Sequence, residues 1–502
     1  MMRKRTFALI MLLLTISFPA YAESLLTTDA LKASYEELTL PGNERMGMVE
    51  LGIMHDFTDN ISLGFGSWMA VKGERGGFIT IGLDGGLHYP VTEVIDLDTG
   101  LSVGAGGGRG GYTLSGGGLM LRTYAGLRYN MGSWGWLGAG VSYVDFPNGG
   151  AIHSTQPFLT YTLPFTSFIE NGWGKSQQSL GDKQYNRLSP KVHSLALVTR
   201  KLFVASTSRT DTGGEQGDLT ILGIEWRTYL GDNWYAKLET EGAAGGGSVG
   251  YMQILAGAGY RIALTDKLFA DTDLSLGAGG GGGVDSGGGL LLNGSAGMQY
   301  FLTPHFFAAL SAAQLKATGG SFQANTLAFK LGYQTGVDIP ESAGLAPACM
   351  QIRVANQTYQ QASDLWRSHH ANQSVENLGL QIDYFIKPDW YITGQAFAAY
   401  QGDAGAYMTG LVGPGFRKNL YGNFYLNAEA LAGAAGGGGL AMGSGLVWQG
   451  NAGVGYEITP SLSALATLGR MESVNGDFKA NVKGLSLAWK FKVNEHSNKA
   501  FQ

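Results

Sequence analysis

The stretch IDLDTGLSVGAGGGRGG at residues 95–111 decides the fold, because it joins a strand-like alternation to a glycine tract. Apolar residues alternate with Asp96 and Asp98, and a period of two is that of a β-strand with two different faces. The pattern recurs as FADTDLSLGAGGGGGVDSGGG at 269–289 and as FYLNAEALAGAAGGGGLAMGSG at 424–445. An Ala-Gly pair ahead of a tyrosine follows each copy, and its glycine recurs after 171 and then 156 residues. The chain is therefore predicted to contain three modules.

The composition narrows the class of protein. Of 502 residues, 80 are glycine, 44% are hydrophobic and 15% are charged, with a formal net charge of −5. A disordered chain would carry more charge and fewer apolar residues. The single cysteine, Cys349, excludes a framework of intrachain disulfides. Because the sequence has no basic patch, we do not expect nucleic acid as a partner.

The N-terminal residues 1–22 are predicted to be a signal peptide. Arg3, Lys4 and Arg5 form a basic region, an apolar run covers 8–18, and Ala20-Tyr21-Ala22 gives a small-x-small cleavage site. The apolar run is too short for a transmembrane helix. We therefore expect export across the inner membrane, with Glu23 as the first residue of the mature protein.

Beyond residue 30 the sequence reads as successive strands of about ten residues each. Tight turns such as 58–60 connect them at one side, and longer loops, including the glycine tracts, connect them at the other. Aromatic residues lie beside the tight turns, where an interfacial girdle is expected: Phe57, Tyr89, Tyr129, Tyr229, Trp234, Tyr300, Trp390, Tyr391 and Tyr456. The predicted fold is all-β, a transmembrane antiparallel β-barrel with about eight strands per module.

The spacing between modules bears on whether one barrel forms or three. The predicted organisation is a signal peptide (1–22), module 1 (32–165), a periplasmic linker (166–192), module 2 (193–335), a periplasmic linker (336–348), module 3 (349–493) and a tail (494–502). A single barrel of about 24 strands needs only tight turns between modules, whereas separate barrels need tethers. Eight strands are enough to close a barrel filled by its own side chains. We favour three tandem small barrels, with one large barrel as the alternative.

Charged residues recur on the polar strand faces of the modules. Charges are costly against hydrocarbon, so we expect them to face the lumens and pair there. The residues of this predicted lumen network are His88, Asp96, Asp98, Arg261, Asp271, Asp273, Arg417 and Glu429. A catalytic or metal constellation is the alternative interpretation of His88 with the two aspartates. We favour the ion-pair network, and we predict no catalytic, cofactor-binding or metal-binding residues.

The glycine tracts allow two interpretations. They could be flexible low-complexity loops, or they could mark a close approach of another backbone. An alanine lies on the predicted lipid-facing side beside each tract: Ala105, Ala278 and Ala434. Small residues let membrane-embedded elements pack closely. The second interpretation therefore predicts that the modules pack together along these strands as a pseudo-threefold cluster.

The modules resemble the small eight-stranded outer-membrane barrels of the OmpA and OmpX type. The resemblance rests on tight turns at one end, longer loops at the other and a charged lumen. The run KGLSLAW at 483–489 resembles the signal by which the assembly machinery recognises the last strand of a barrel. It departs from that pattern because a tail follows it. The matching strands near Phe158 and Leu327 lack the glycine, which favours one large barrel.

Three alternative functions are consistent with these sequence features. The first is a non-enzymatic structural or surface-binding protein with plugged lumens, which presents outer loops such as 207–218 and 362–374, the latter with Trp366, His369 and His370. The second is a passive porin or exporter formed by one large barrel. The third is a lipid-modifying enzyme, for which no nucleophile or acid–base pair is evident. The expected location is the outer membrane. The expected partners are outer-membrane lipids, the barrel-assembly machinery and a surface ligand that the sequence does not identify.

Overall fold

The computed structural model describes residues 26–171, 193–231, 233–335 and 348–493, so the predicted signal peptide and tail lie outside it. Within these residues the chain forms 24 strands, all antiparallel to their neighbours. The only α-helix of the described residues is the short α1 (Gly111–Ser115). Among the same residues, no helix is long and apolar enough to cross a membrane.

Barrel 1 consists of strands β1 to β8. Their bounds are β1 (Leu26–Thr39), β2 (Arg45–Thr58), β3 (Ile61–Lys72), β4 (Ile79–Pro90), β5 (Ile95–Gly107), β6 (Leu119–Asn130), β7 (Trp136–Asp145) and β8 (His153–Asn171). Eleven residue pairs join β1 to β8 and close the barrel. We call the end with the tight turns the inner end and the end with the longer loops the outer end. By the convention of outer-membrane barrels the inner end faces the periplasm.

Barrel 2 repeats this arrangement. Its strands are β9 (His193–Val204), β10 (Leu219–Tyr229), β11 (Trp234–Gly245), β12 (Met252–Ala263), β13 (Leu268–Gly280), β14 (Leu290–Phe301), β15 (Phe306–Ala317) and β16 (Gln323–Thr335). Pairing of β9 with β16 closes it.

Barrel 3 consists of β17 (Ala348–Gln361), β18 (Val375–Lys387), β19 (Trp390–Gln401), β20 (Met408–Asn419), β21 (Phe424–Gly436), β22 (Leu446–Glu457), β23 (Leu462–Ser473) and β24 (Lys479–Val493). Fourteen residue pairs between β17 and β24 close it. Three closed eight-stranded barrels therefore form, and the alternative of one 24-stranded barrel is wrong. In each module the last strand pairs with the first strand of the same module. This holds also for modules 1 and 2, whose last strands lack the glycine of the run at 483–489.

The strand ends differ from the sequence prediction at the inner end of barrel 1. The first strand begins at Leu26 instead of residue 32, and β8 continues through 166–171, which we expected to belong to the linker. Residues 166–168 pair with β1, and 169–171 pair with the end of β24. Partner strands on both sides thus extend β8. The same pairing joins barrels 1 and 3 through backbone hydrogen bonds.

The barrel exteriors are apolar. Leucines such as Leu127, Leu159 and Leu310 are about half exposed on the outward faces, and aromatic residues such as Tyr89 and Trp234 are exposed near the inner end. A continuous apolar exterior with aromatic residues at its border is the surface of a membrane-spanning barrel. The protein is therefore an outer-membrane β-barrel protein.

Two of the aromatic residues predicted for the girdle lie inside the barrels instead. Tyr229 is buried beneath the guanidinium of Arg261, 3.8 Å from its ring centre. Tyr391 is also buried, and its hydroxyl donates a 2.7 Å hydrogen bond to Glu429. Both tyrosines sit on the inward parity of their strands, which their position beside a turn does not reveal.

Candidate functional site: lumens and barrel junction

The lumen of barrel 1 contains ion pairs on several levels. His88 Nδ1 lies 3.1 Å from Asp98, and Arg128 lies 2.7 Å from Asp96. Deeper in the lumen are two further pairs, Arg122 with Glu36 at 3.1 Å and Lys32 with Glu50 at 3.0 Å. The structure thus brings the predicted His88 and Asp98 together, whereas Asp96 takes a partner from β6.

The lumen of barrel 2 is more densely charged. Asp271 contacts Arg227 at 3.2 Å, and Asp273 contacts Lys237 at 2.7 Å. Arg261 is opposite Asp271 in the strand register, but it lies over the ring of Tyr229 and approaches Gln334 at 3.4 Å. Other buried ion pairs join Arg200 to Glu239 and Glu241, and Glu225 to Arg227 and Lys330.

In barrel 3 a single buried arginine joins two carboxylates. Arg353, which is 2% exposed, forms ion pairs with Asp383 and with Glu429. The predicted Arg417 does not pair with Glu429. Its guanidinium lies 3.5 Å from the ring centre of Tyr425 and pairs with Glu457. The partner of Glu429 therefore comes from β17, on the first strand of the module.

The alternation of the strands predicts that the acidic residues face the lumen, but it does not specify their partners. Three of these partners, Arg122, Arg200 and Arg353, are nearly fully buried. None of them was among the residues of the predicted lumen network. Their inward parity in otherwise alternating strands was the available signal. These carboxylates and cations bind one another within the lumens. In the described parts of the chain, no group of three His, Cys, Asp or Glu residues is arranged to hold a metal ion.

An apolar layer lies above the charges, toward the outer end of each lumen. In barrel 1 it includes Trp68, Phe78 and Phe146, with the two phenylalanine rings 5.8 Å apart. In barrel 3 it includes Trp366, which is fully buried and stacks on Phe478. Trp366 was expected on a surface loop, and that expectation is wrong because the loop folds its indole into the lumen.

The neighbouring histidines of this loop reach toward barrel 1. His369 and His370 have ring centres 6.1 and 5.4 Å from that of Tyr112. Tyr112 belongs to α1, in the glycine-rich loop between β5 and β6. The outer loops of barrels 1 and 3 therefore contact each other.

The three barrels meet in a cyclic order. The third strand of each barrel contacts the fifth strand of another: β3 with β13, β11 with β21, and β19 with β5. The fourth strands, β4, β12 and β20, lie between these contacts. The cluster thus has the connectivity of a pseudo-threefold arrangement.

Backbone groups of the glycine tracts form the contacts at the outer end. The amide of Gly76 in barrel 1 donates a 2.8 Å hydrogen bond to the carbonyl of Gly287 in barrel 2. Gly405 in barrel 3 donates a 2.9 Å bond to Gly116 in barrel 1. The Asn148 side chain adds a 2.9 Å bond to the carbonyl of Tyr400.

The backbones approach so closely that several of these positions have no room for a side chain. A Cβ on Gly117 would lie 2.7 Å from the carbonyl oxygen of Tyr400. One on Gly288 would lie 2.6 Å from Lys72 Cα, and one on Gly436 would lie 2.5 Å from Gly250 Cα. Since each obstacle is backbone of another barrel, any larger residue would separate two barrels.

The three alanines beside the tracts are buried at these junctions. Ala105 packs in a cluster with Ala398 of barrel 3. Ala278 packs with Met69 and other apolar residues of barrel 1. Ala434 faces Gly242 of barrel 2, where an added Cβ would lie 3.0 Å from the alanine Cβ.

Polar contacts accompany the glycine tracts. Arg109 in barrel 1 lies 3.7 Å from Asp211 in barrel 2. Within barrel 2, burial would raise the pKa of Asp285, but hydrogen bonds from the amide and hydroxyl of Ser321 outweigh it and hold the pKa below its usual value. The carboxylate thereby fixes the tract that contains Gly287.

Between the barrels lies a chamber of about 4920 Å³. Outward-facing apolar residues of all three barrels line it, among them Leu63, Leu238 and Ile392. The glycine tracts line its outer end, and turn residues such as Leu302 and Thr459 line its inner end. The chamber therefore runs from the glycine-rich loops to the level of the tight turns.

No protein-family model matches the sequence, and the comparison with curated proteins finds no match. Among solved structures, a designed transmembrane β-barrel is 11% identical, covering 29% of this chain and 97% of its own, with a TM-score of 0.20. OccAB3 of Acinetobacter baumannii is 11% identical; the match covers 93% of this chain and 99% of OccAB3, with a TM-score of 0.22. The siderophore receptor PirA of the same organism is 11% identical; the match covers 93% of this chain and 80% of PirA, with a TM-score of 0.28.

Proposed function

We propose that the chain is a non-enzymatic structural protein of the outer membrane, in which glycine-rich outer loops hold three non-conducting barrels together. The hydrogen bonds from Gly76 to Gly287 and from Gly405 to Gly116 carry this proposal, together with the close approach of Gly436 to Gly250. Glycine backbones in hydrogen-bonding contact across barrels make a fixed assembly, which flexible loops would not.

Sealed lumens are the second part of the proposal. Paired charges occupy the middle of each lumen. An apolar layer lies above them, with Trp68 in barrel 1, Phe322 in barrel 2 and Trp366 in barrel 3. A charge pair below a dry apolar layer leaves no continuous polar path for ions. We therefore assign no nucleophile or acid–base pair for catalysis among the residues that the structure describes.

Lipids and the assembly machinery are the partners that this function requires. The apolar exteriors contact membrane lipid, and 483–489 in β24 is the proposed recognition signal during biogenesis. A surface ligand would bind at the outer loops, where 207–218 remains available as a candidate segment.

Conductance of the purified mature protein in a planar bilayer tests this function. We expect no stable current steps, because each lumen is closed by its own side chains. Heat-modifiable migration on a gel serves as the control for folded barrels, and a known general porin inserted in the same bilayer shows that the assay detects pores. Stable steps of nanosiemens order from the folded protein would establish an open pore and overturn the proposal.

A further inference from the structure

The chamber between the barrels has a surface suited to hydrocarbon. Leu197, Trp226 and Ile382 line it from two barrels and are each more than a third exposed, although they face the middle of the cluster. Leaving such side chains in contact with water is unfavourable. Leaving the space empty would forfeit the dispersion contacts of its whole lining.

The size of the chamber points to lipid and not to a single small ligand. Pockets for small molecules measure about 300–1,000 Å³, whereas this chamber measures about 4920 Å³. Its lining is also built from strand faces that would otherwise meet the bilayer. Hydrocarbon chains of membrane lipid are the available material that matches both properties.

The two ends of the chamber differ. At the outer end, Gly77, Gly250 and Gly437 belong to loops whose backbones are in contact between barrels. At the inner end, barrels 1 and 3 are joined by β8 and β24, and the rings of Phe57 and Trp489 lie 5.9 Å apart. The chamber is therefore bounded by peptide backbone at its outer end and by turn residues at its inner end.

We propose that this chamber holds phospholipids of the inner, periplasmic leaflet. Their acyl chains lie against the outward faces of the strands that line the chamber, among them β3, β9, β10, β12, β18 and β20, and their head groups lie at the tight turns. The glycine-rich loops close the chamber against the lipopolysaccharide of the outer leaflet. The proposal rests on the clustered-barrel function, because without the glycine contacts the chamber would open into the bilayer.

Site-specific photocrosslinking tests the occupant. Gly394 and Gly410 face the chamber, and an added Cβ at either position meets nothing within 4 Å. Benzoylphenylalanine placed there would extend into the chamber without a backbone clash. Ala139 on β7 and Ala312 on β15 are matched controls, because both are exposed and neither lines the chamber, which β15 reaches only through Phe306 and Phe307 at its other end.

The full-length protein would be extracted from outer membranes, exchanged into lipid-free detergent and irradiated, and its adducts would be identified by mass spectrometry. We expect phospholipid adducts at Gly394 and Gly410, and loss of phospholipid adducts at Ala139 and Ala312 after exchange. Detergent as the sole adduct at all four sites would overturn the proposal, as would equal phospholipid labelling at all four. Lipopolysaccharide at the chamber sites would overturn the assignment to the inner leaflet. The conductance result is independent of these outcomes, so failure of either proposal can be recognised separately.

Discussion

Replacement of Arg353 by methionine is expected to destabilise barrel 3 by about 3–5 kcal/mol, the usual cost of leaving buried charges without their partner. Arg353 lies 2.7 Å from Asp383 and also pairs with Glu429, and both carboxylates are buried. Their repulsion would no longer be compensated. The measurement is urea-induced unfolding of the protein in detergent micelles, followed by heat-modifiable migration and evaluated by linear extrapolation.

Two further variants distinguish the loss of charge balance from the loss of side-chain packing as the cause of the destabilisation. Combining Arg353→Met with Asp383→Asn and Glu429→Gln should restore most of the lost stability, because the neutral amides still accept hydrogen bonds. Lys418→Met removes an exposed pair with Asp389 in the same barrel and should cost no more than about 1 kcal/mol. A loss for Arg353→Met as small as that for Lys418→Met would contradict a buried, charge-balanced lumen.

Replacement of Ala278 by tryptophan is expected to separate barrel 2 from barrel 1 while each barrel stays folded. Ala278 is buried against Met69 and Ile79 of barrel 1, but it lies outside the lumen of its own barrel. Overpacking of such a site costs about 1–3 kcal/mol. Because about 1.4 kcal/mol corresponds to a tenfold change, hydrogen exchange of the Gly76 amide, which is bonded to Gly287, should accelerate roughly tenfold or more.

Ala312→Trp provides the matched control for this variant. Ala312 is exposed on β15 of the same barrel, so the added indole should enter lipid or detergent and leave the exchange of Gly76 unchanged. Unchanged exchange in Ala278→Trp, with both proteins folded, would show that the buried alanine does not hold these barrels together.

The strands and their number could be predicted from the sequence because a period of two is local. The alternation within a single strand, such as 95–105, is enough to distinguish its apolar face from its polar face. Closure into three barrels is not local, since it depends on whether β8 pairs with β1 or with the next module. The lengths of the linkers favoured the correct architecture, but the missing glycines in the last strands of two modules argued against it.

The partners of the charged residues could not be predicted for the same reason. Arg417 and Glu429 were both predicted to belong to the lumen network, but the structure gives Glu429 a different partner, Arg353, 76 residues away. Pairing across a lumen depends on strand tilt and stagger, which a single strand does not encode. A close approach of another backbone was one of the two interpretations of the glycine tracts, and which tract meets which barrel depends on how the three barrels are arranged.

A disulfide across one junction would test the clustered arrangement most directly. An ideal Cβ at Gly242 of barrel 2 lies 3.0 Å from the Cβ of Ala434 in barrel 3, close to the range of about 3.5–4.5 Å found in disulfides. Gly242→Cys with Ala434→Cys, in a Cys349→Ser background, should therefore oxidise to a bond that peptide mass spectrometry detects. Gly242→Cys with Ala430→Cys moves the second thiol four residues, roughly 13 Å, along β21 and should remain reduced. Free, fully alkylated thiols in the first variant, or equal oxidation in both, would contradict barrels joined at their small residues.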